Sequence, residues 1–163
     1  DVERSRGLGD VYKRQASDRE NDASTEKKVS AGLREMSMEL PVPGILESPF
    51  GVFESKIFSY KKQKIEEKKY TKWFDYDKIK NSPCVRTRRQ GDYLTVNSEG
   101  GRKKLNRIFI DEKIPAEMRD RLPVVAVGSE ILWIPGGRMN EKYKITSTTG
   151  RVLELHYQGG ALA

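Results

Sequence analysis

The sequence has very few of the residues that build disulfides and metal sites, with one cysteine, Cys84, and one histidine, His156, among 163 residues. A single cysteine cannot form an internal disulfide, and one Cys with one His cannot complete a zinc site of the Cys/His type within the chain. Such low cysteine usage is typical of a reducing setting, and we therefore predict a cytoplasmic protein.

Long apolar runs and nucleotide-binding glycine motifs are missing as well. No stretch approaches the ~18 apolar residues that a membrane span requires, and no secretory signal stands at the start. The glycine pairs at 100–101, 136–137 and 159–160 do not form a dinucleotide-binding fingerprint, and the chain contains neither a P-loop nor a GxSxG sequence. These absences exclude several large enzyme classes as descriptions of this chain.

Four residues have side chains suited to catalysis, but none has a partner at a useful spacing. Asp75 and Asp77 resemble paired carboxylates by spacing alone, but they lie in an aromatic turn, where acids usually cap or face solvent. His156 lies in a predicted strand, and Cys84 has no base nearby in the sequence. We therefore assign no catalytic residue, no metal ligand and no cofactor-binding residue to this chain.

Positive charge is what the sequence has in excess. It contains 31 Lys and Arg against 24 Asp and Glu, a net charge of +7, and its pI is about 9.4. Residues 1–30 hold seven side chains of each sign, so the whole excess belongs to residues 31–163. Apolar residues make up 36% of the chain, enough for one modest core. A basic folded part favours a polyanionic partner: RNA, DNA or an anionic membrane.

The basic residues concentrate between Val85 and Ile114. Up to Ile110 this stretch holds seven Lys and Arg against two acids, a local net charge of +5. We predict that these seven residues and one later arginine bind nucleic acid: Arg86, Arg88, Arg89, Arg102, Lys103, Lys104, Arg107 and Arg138. A charged run can also be a solvated face without a ligand, and that alternative stays open.

The basic stretch consists of two clusters with different predicted geometry. Residues 86–88 alternate basic and polar, so in a strand both arginines point to one face. Residues 100–104 place a glycine turn before the expected start of a helix, where free N–H groups and lysines could cradle a phosphate. The competing interpretation ties Arg88 or Arg89 into an internal ion pair, with Asp92 or Asp111 as the partner.

The chain divides by composition into four segments. Residues 1–30 are predicted to be a disordered leader, and residues 1–15 resemble translated sequencing-adapter sequence, which would make them non-native. Residues 31–69 are predicted to be a β-rich preceding segment that ends in a charged loop. Residues 70–158 form the main domain, and residues 159–163 are a tail.

The apolar pattern predicts an α+β fold, a small mixed or antiparallel sheet with hairpins packed against two short helices. Gly128-Ser129 between two β-branched runs is the strongest hairpin signal, and Trp73 and Phe74 are predicted core residues. Strands are predicted near 36–40, 52–60, 84–89, 93–96, 124–127, 130–134, 142–146 and 151–157. Helices are predicted near 103–112 and 115–121.

Five segments carry a resemblance to a known family: WFDYDKI (73–79), VRTRRQGDY (85–93), GGRKKLNRIFIDEKIP (100–115), RDRLPVVAVGSEILWIPGGR (119–138) and EKYKIT (141–146). In this order they resemble the C-terminal domain of bacterial tRNA(Ile)-lysidine synthase. The resemblance covers about residues 70–157, and residues 36–60 are similar to the strand pair that precedes this domain in the family.

The resemblance implies a fragment of a ligase. The family uses ATP to adenylate the wobble cytidine of tRNA(Ile) with a CAU anticodon, and L-lysine then displaces AMP to form lysidine. ATP is bound by an N-terminal domain with an SGGxDS loop, a motif that this sequence lacks. The resemblance therefore implies tRNA binding by this chain and no activity of the chain alone. Two alternatives stay open: a stand-alone basic RNA- or DNA-binding module, and a domain that positions the catalytic parts without touching RNA.

Overall fold

The computed structural model describes residues 37–159, and this part of the chain contains ten strands. The strands are β1 (Ser37–Glu39), β2 (Gly44–Ser48), β3 (Gly51–Ser59), β4 (Thr71–Asp75), β5 (Cys84–Arg86), β6 (Tyr93–Thr95), β7 (Arg102–Lys104), β8 (Val124–Val127), β9 (Glu130–Trp133) and β10 (Arg151–Gly159). The helices are α1 (Leu105–Asp111) and α2 (Ala116–Arg119), with 3-10 turns at Tyr76–Lys78 and Glu141–Tyr143. None of the described helices is long and apolar enough to cross a membrane.

The strands form two sheets. The first sheet has six strands in the order β1-β5-β8-β9-β6-β7, and the second has four in the order β2-β3-β10-β4. Neighbouring strands are antiparallel, except that β6 and β9 are parallel. The α+β class with two short helices is therefore confirmed, with the strands divided between two sheets.

The first sheet lies between the helices and the second sheet, and β8 shows how the sequence achieves this. Val124 and Ala126 belong to the core on the helix side, whereas Val125 belongs to the core shared with the second sheet. Successive side chains of a strand point to opposite faces, so a continuous apolar run is expected for a strand that is covered on both faces. A shift in register between β8 and β9 lets Leu132 and Trp133 both join the second core.

Residues before position 70 contribute to both sheets. Strand β1 pairs with β5, and the β2–β3 hairpin pairs through β3 with the C-terminal strand β10. The two predicted strands within 36–60 are thus present, and the charged loop over 61–69 is confirmed as exposed chain without regular structure. The predictions for residues 1–36 and 160–163 lie outside the described residues.

The Gly128-Ser129 hairpin is confirmed, and Gly128 has φ +60°, a conformation that favours glycine. The strand predicted near 142–146 is wrong. The Asn140 side chain accepts a hydrogen bond from the Lys142 N–H at 2.9 Å and begins a 3-10 turn, which carries Tyr143 into the second core. The final strand β10 pairs with β3 and β4 instead.

Candidate nucleic-acid interface

Arg86, the last residue of β5, lies inside the protein. The residue is 1% exposed, and its Nη1 and Nη2 atoms donate to the two carboxylate oxygens of Asp92 at 2.8 Å each. Nη2 also donates to the Gly128 carbonyl at 2.7 Å. Burial disfavours the charged form, but the hydrogen bonds and charge of Asp92 outweigh it and raise the pKa of Arg86. Arg86 is therefore not part of an accessible basic face, although the sequence pattern predicted that it would be.

Arg88 is also committed to internal contacts. The predicted strand over 84–89 ends at Arg86, so Arg88 follows it in a turn. Its Nε donates to Asp120 at 2.9 Å and its Nη1 to Asn106 at 3.0 Å, which joins this turn to both helices. The internal ion pair of Arg88 is thus present, but the predicted partners, Asp92 and Asp111, are wrong, because Asp120 at the end of α2 takes this place.

The predicted phosphate cradle at a helix start after Gly100 and Gly101 is not formed. Residues 102–104 form the strand β7, and helix α1 begins only at Leu105. The first N–H of that helix, from Leu105, donates to the Asp92 carbonyl at 2.9 Å. Gly100 and Gly101 instead belong to the loop between β6 and β7. Position 101 favours glycine, because a Cβ there would lie 2.5 Å from the side-chain amide nitrogen of Asn97.

Strand β7 holds the accessible cations. Alternation places Arg102 and Lys104 on one face of the strand, where both are exposed, and turns Lys103 to the other. The Arg102 guanidinium stacks 4.6 Å from the centre of the Tyr93 ring, on the neighbouring strand β6. We call Tyr93, Arg102 and Lys104 the β7 face. The Lys104 side chain makes no ion pair or hydrogen bond within residues 37–159.

Arg89 is exposed beside this strand. Its backbone N–H donates to Asp92 at 2.7 Å, while its side chain has no ion pair in the described part of the chain. In the turn that Arg89 and Asp92 close, the Asp92 carbonyl accepts a hydrogen bond from the Leu105 N–H at the start of α1. Arg89 and the β7 face therefore lie on either side of the point where this turn meets α1, which we call the junction. Three accessible cations, Arg89, Arg102 and Lys104, therefore lie within three residues of one end of the backbone hydrogen bond between Leu105 and Asp92.

Two of the remaining predicted cations, Lys103 and Arg107, contact Asp111, the last residue of α1. Lys103 forms a direct ion pair with Asp111, and the Arg107 Nε lies 3.3 Å from its other oxygen. The hydrogen bond from Lys103, with the charges of Lys103, Arg107 and Arg138, lowers the pKa of Asp111. We call Lys103, Arg107 and Asp111 the Asp111 cluster. It holds two cations against one carboxylate.

A second cation–aromatic pair, which the sequence did not indicate, lies next to β6. The Lys142 ammonium is 5.4 Å from the Tyr143 ring centre, and Glu130 accepts from the Tyr143 hydroxyl and pairs with Lys142 at 3.6 Å. Burial and the neighbouring Glu130 raise the pKa of Tyr143. No local sequence signal joins Tyr93 to Tyr143, because their proximity depends on the parallel pairing of β6 with β9.

The four residues considered for catalysis have structural contacts. Asp75 accepts from Thr149 at 3.1 Å, and Asp77 accepts from the Arg151 Nε at 2.9 Å, which lowers the pKa of Asp77. His156 shares a 2.7 Å hydrogen bond with Thr71 across the second sheet. Cys84 is a half-buried free thiol. Asp75, Asp77 and His156 thus have structural contacts, and the absence of a catalytic residue from this chain stays a prediction.

The comparisons with known proteins all point to one family. Residues 84–155 match the model of the TilS substrate C-terminal domain. A tRNA(Ile)-lysidine synthase from Caldanaerobacter subterraneus subsp. tengcongensis is 50% identical over 88 residues, which cover 54% of this chain and 19% of that protein. The enzyme of the same name from Clostridium tetani is 41% identical over 90 residues, covering 55% of this chain and 19% of that protein.

The fold agrees with these sequence matches. The crystal structure of a TilS C-terminal domain superposes with a TM-score of 0.64 at 34% identity, covering 76% of this chain and 96% of that one. The chain spans about a fifth of the length of the curated relatives it matches. Since the sequence motifs, the family model and the fold agree, the chain belongs to the family of tRNA(Ile)-lysidine synthase C-terminal domains.

Proposed function

We propose that this chain is the tRNA-binding portion of a tRNA(Ile)-lysidine synthase. The observation that carries the proposal is the junction at which Arg89, Arg102 and Lys104 are exposed without ion pairs to other described residues. Cations left without an internal partner are available to phosphates, whereas Arg86 and Arg88 already have carboxylate partners.

The whole enzyme, in this proposal, ligates L-lysine to the wobble cytidine of tRNA(Ile) with a CAU anticodon, in the cytoplasm. ATP would activate the cytidine in a domain outside this chain, and lysine would displace AMP. The chain itself has the task of holding the tRNA. Phosphate contacts carry little sequence information, so the chain should bind cognate and non-cognate tRNA with similar affinity.

The test is tRNA binding over a series of salt concentrations, measured by filter binding. Each phosphate contact adds about 0.9 to the slope of log affinity against log salt on a duplex. We expect the double variant Arg102→Ala/Lys104→Ala to weaken binding and to lower this slope by about 1–2. The matched control is Lys61→Ala/Lys64→Ala, which removes the same charge from the exposed loop before β4.

The control separates a local interface from a general effect of net charge. If both double variants weaken binding equally, the cations of the β7 face have no special role. If neither changes the affinity or the slope, the positioning domain without RNA contact becomes the better description. The isolated chain should also release no pyrophosphate with ATP, lysine and tRNA; tRNA-dependent release would contradict the assignment of ATP to another domain.

A further inference from the structure

Strands β6 and β7 divide their side chains between the two faces of the first sheet. Leu94 belongs to the core on the helix side, and its cross-strand partner Lys103 reaches Asp111 on α1, so both point toward the helices. The residues of the β7 face therefore lie on the opposite side of the sheet. The two cations of this face are exposed and Tyr93 is half-buried, so the β7 face is open to a ligand.

The Arg102 side chain lies over the Tyr93 ring because of the register between the two strands. The register pairs Tyr93 with Lys104 and makes Arg102 its diagonal neighbour. Long side chains span the distance of roughly 7–8 Å across such a diagonal. The guanidinium carbon of Arg102 lies 4.6 Å from the ring centre. One side of the planar guanidinium is thus covered by the ring, and the opposite side is open because Arg102 is exposed.

The positive charge over Tyr93 is not neutralised by a carboxylate of residues 37–159. Arg102 forms no ion pair in this part of the chain. The acid paired with Tyr93 across β6 and β9 is Glu130. One oxygen of Glu130 accepts from the Tyr143 hydroxyl, and the other lies 3.6 Å from the Lys142 ammonium. Because Glu130 is engaged in this way, the Arg102 charge is available to an external group.

A flat cation with one open side is better suited to a nucleobase than to a phosphate alone. A phosphate requires only a positive charge, which the exposed Lys104 already supplies. Unpaired bases of RNA stack on arginine planes and on aromatic rings, and any base can do so because every base has a π-face. A base inside a duplex has neighbours on both of its faces, so this surface favours an unpaired base.

We propose that Tyr93 and Arg102 form a platform on which one unpaired base of the bound RNA stacks, with Lys104 at the adjoining phosphate. Arg102 and Lys104 are two residues apart on one face of a strand, a spacing of roughly 6.6–6.8 Å, so the base and phosphate contacts lie side by side. Tyr93 is a positioning residue, because it holds the guanidinium from below. The platform rests on the proposed function and adds single-stranded RNA as the class of nucleic acid that it prefers.

The experiment compares two RNA hairpins that have the same stem and the same number of phosphates. One carries a short single-stranded purine extension, and the other carries an abasic extension of equal length, so only the bases differ. Filter binding should show about tenfold tighter binding of the hairpin with bases. If the unaltered chain binds both hairpins equally, the platform is overturned while the proposed function stands.

Arg102→Lys separates the flat group from its charge. A lysine keeps the positive charge but has no plane, so the preference for bases should fall to about onefold. The abasic hairpin should still bind within about twofold of its affinity for the unaltered chain. The matched control is Arg107→Lys, at an exposed arginine of α1 that pairs with Asp111, and it should keep the tenfold preference. A preference that survives Arg102→Lys would overturn the platform.

Two variants of Tyr93 test its positioning role. Tyr93→Leu removes the ring beneath the guanidinium and should lower the preference to about threefold, whereas Tyr93→Phe keeps the ring and should keep the preference. Equal weakening of both hairpins by Tyr93→Leu would indicate a merely structural residue and overturn the positioning role. Failure of the unaltered chain to bind either hairpin would overturn the proposed function itself.

Discussion

Strands β5 and β7 both end in basic residues, but they occupy different places in the first sheet. Strand β5 lies between β1 and β8, whereas β7 is one of the two edge strands of this sheet as described. Arg86 on β5 is 1% exposed and has a carboxylate partner, while Arg102 and Lys104 on β7 are exposed. A basic run in a sequence thus contains two kinds of cation. The position of the strand in the sheet and the face to which the side chain points together decide which kind a residue becomes, since Lys103 on β7 is paired with Asp111.

The buried and the exposed cations differ in the free-energy cost of losing hydration as well as in their contacts. A buried charge must be matched by a partner, because losing its hydration is expensive. An exposed charge loses little hydration, but salt screens it, and it is worth most when a polyanion arrives. Substitutions on β5 should therefore change the stability of the fold, and substitutions on β7 should change RNA binding.

The largest expected effect is on the buried pair. Arg86→Ala leaves the Asp92 carboxylate buried without its guanidinium, and breaking such a pair costs about 3–5 kcal/mol of unfolding free energy. Urea unfolding at neutral pH measures this loss of unfolding free energy. Arg102→Ala is the control and should stay within about 0.5 kcal/mol of the unaltered chain. A loss below about 1 kcal/mol for Arg86→Ala would contradict the distinction between the strands.

A smaller effect is expected at Arg88, because its pair with Asp120 is partly solvated. Arg88→Ala should cost about 1 kcal/mol by urea unfolding, through the lost ion pair and the lost bond to Asn106. The slope of tRNA affinity against salt should not change. Arg88→Lys keeps the charge but not the two-armed contact, so it should restore only part of the stability. Loss of RNA affinity in Arg88→Ala that Arg88→Lys restores would assign Arg88 to the interface instead.

The smallest effect concerns a pKa value at the Asp111 cluster. Lys103 is the main cause of the lowered pKa of Asp111, so Lys103→Ala should raise this pKa toward the ordinary value of 3.8. A lowered folded pKa contributes stability that is present above the ordinary value and lost as pH falls through the folded value. An NMR titration of the Asp111 carboxyl measures it, with Lys104→Ala as a control that should leave it unchanged. An unshifted titration in Lys103→Ala would remove Lys103 from the cluster.

The parts of the fold that the sequence predicts well are local. The Gly128-Ser129 hairpin depends on a two-residue turn between β-branched runs, and those strands form where expected. The strand over 142–146 fails because a short apolar alternation there competes with the Asn140 cap. Whether this segment forms a strand or a 3-10 turn depends on the burial of Tyr143 against residues far away in the sequence. A local sequence pattern carries no information about that burial.

The sequence predicts which stretch of the chain carries the candidate site, but it does not predict which basic side chains of that stretch are accessible. The excess of positive charge over residues 85–110 is visible without a structure. That Arg86 meets Asp92 while Arg88 meets Asp120 depends on which strands flank β5 and on where α2 ends.

The most direct test of the division between the two strands is an NMR map of arginine Nε–H signals during titration with a tRNA or a stem-loop RNA. The account predicts that the signals of Arg89 and Arg102 shift, while those of Arg86 and Arg88 stay in place because their guanidinium groups remain on Asp92 and Asp120. Shifts at Arg88 as large as those at Arg102, or no shift at Arg102, would contradict it.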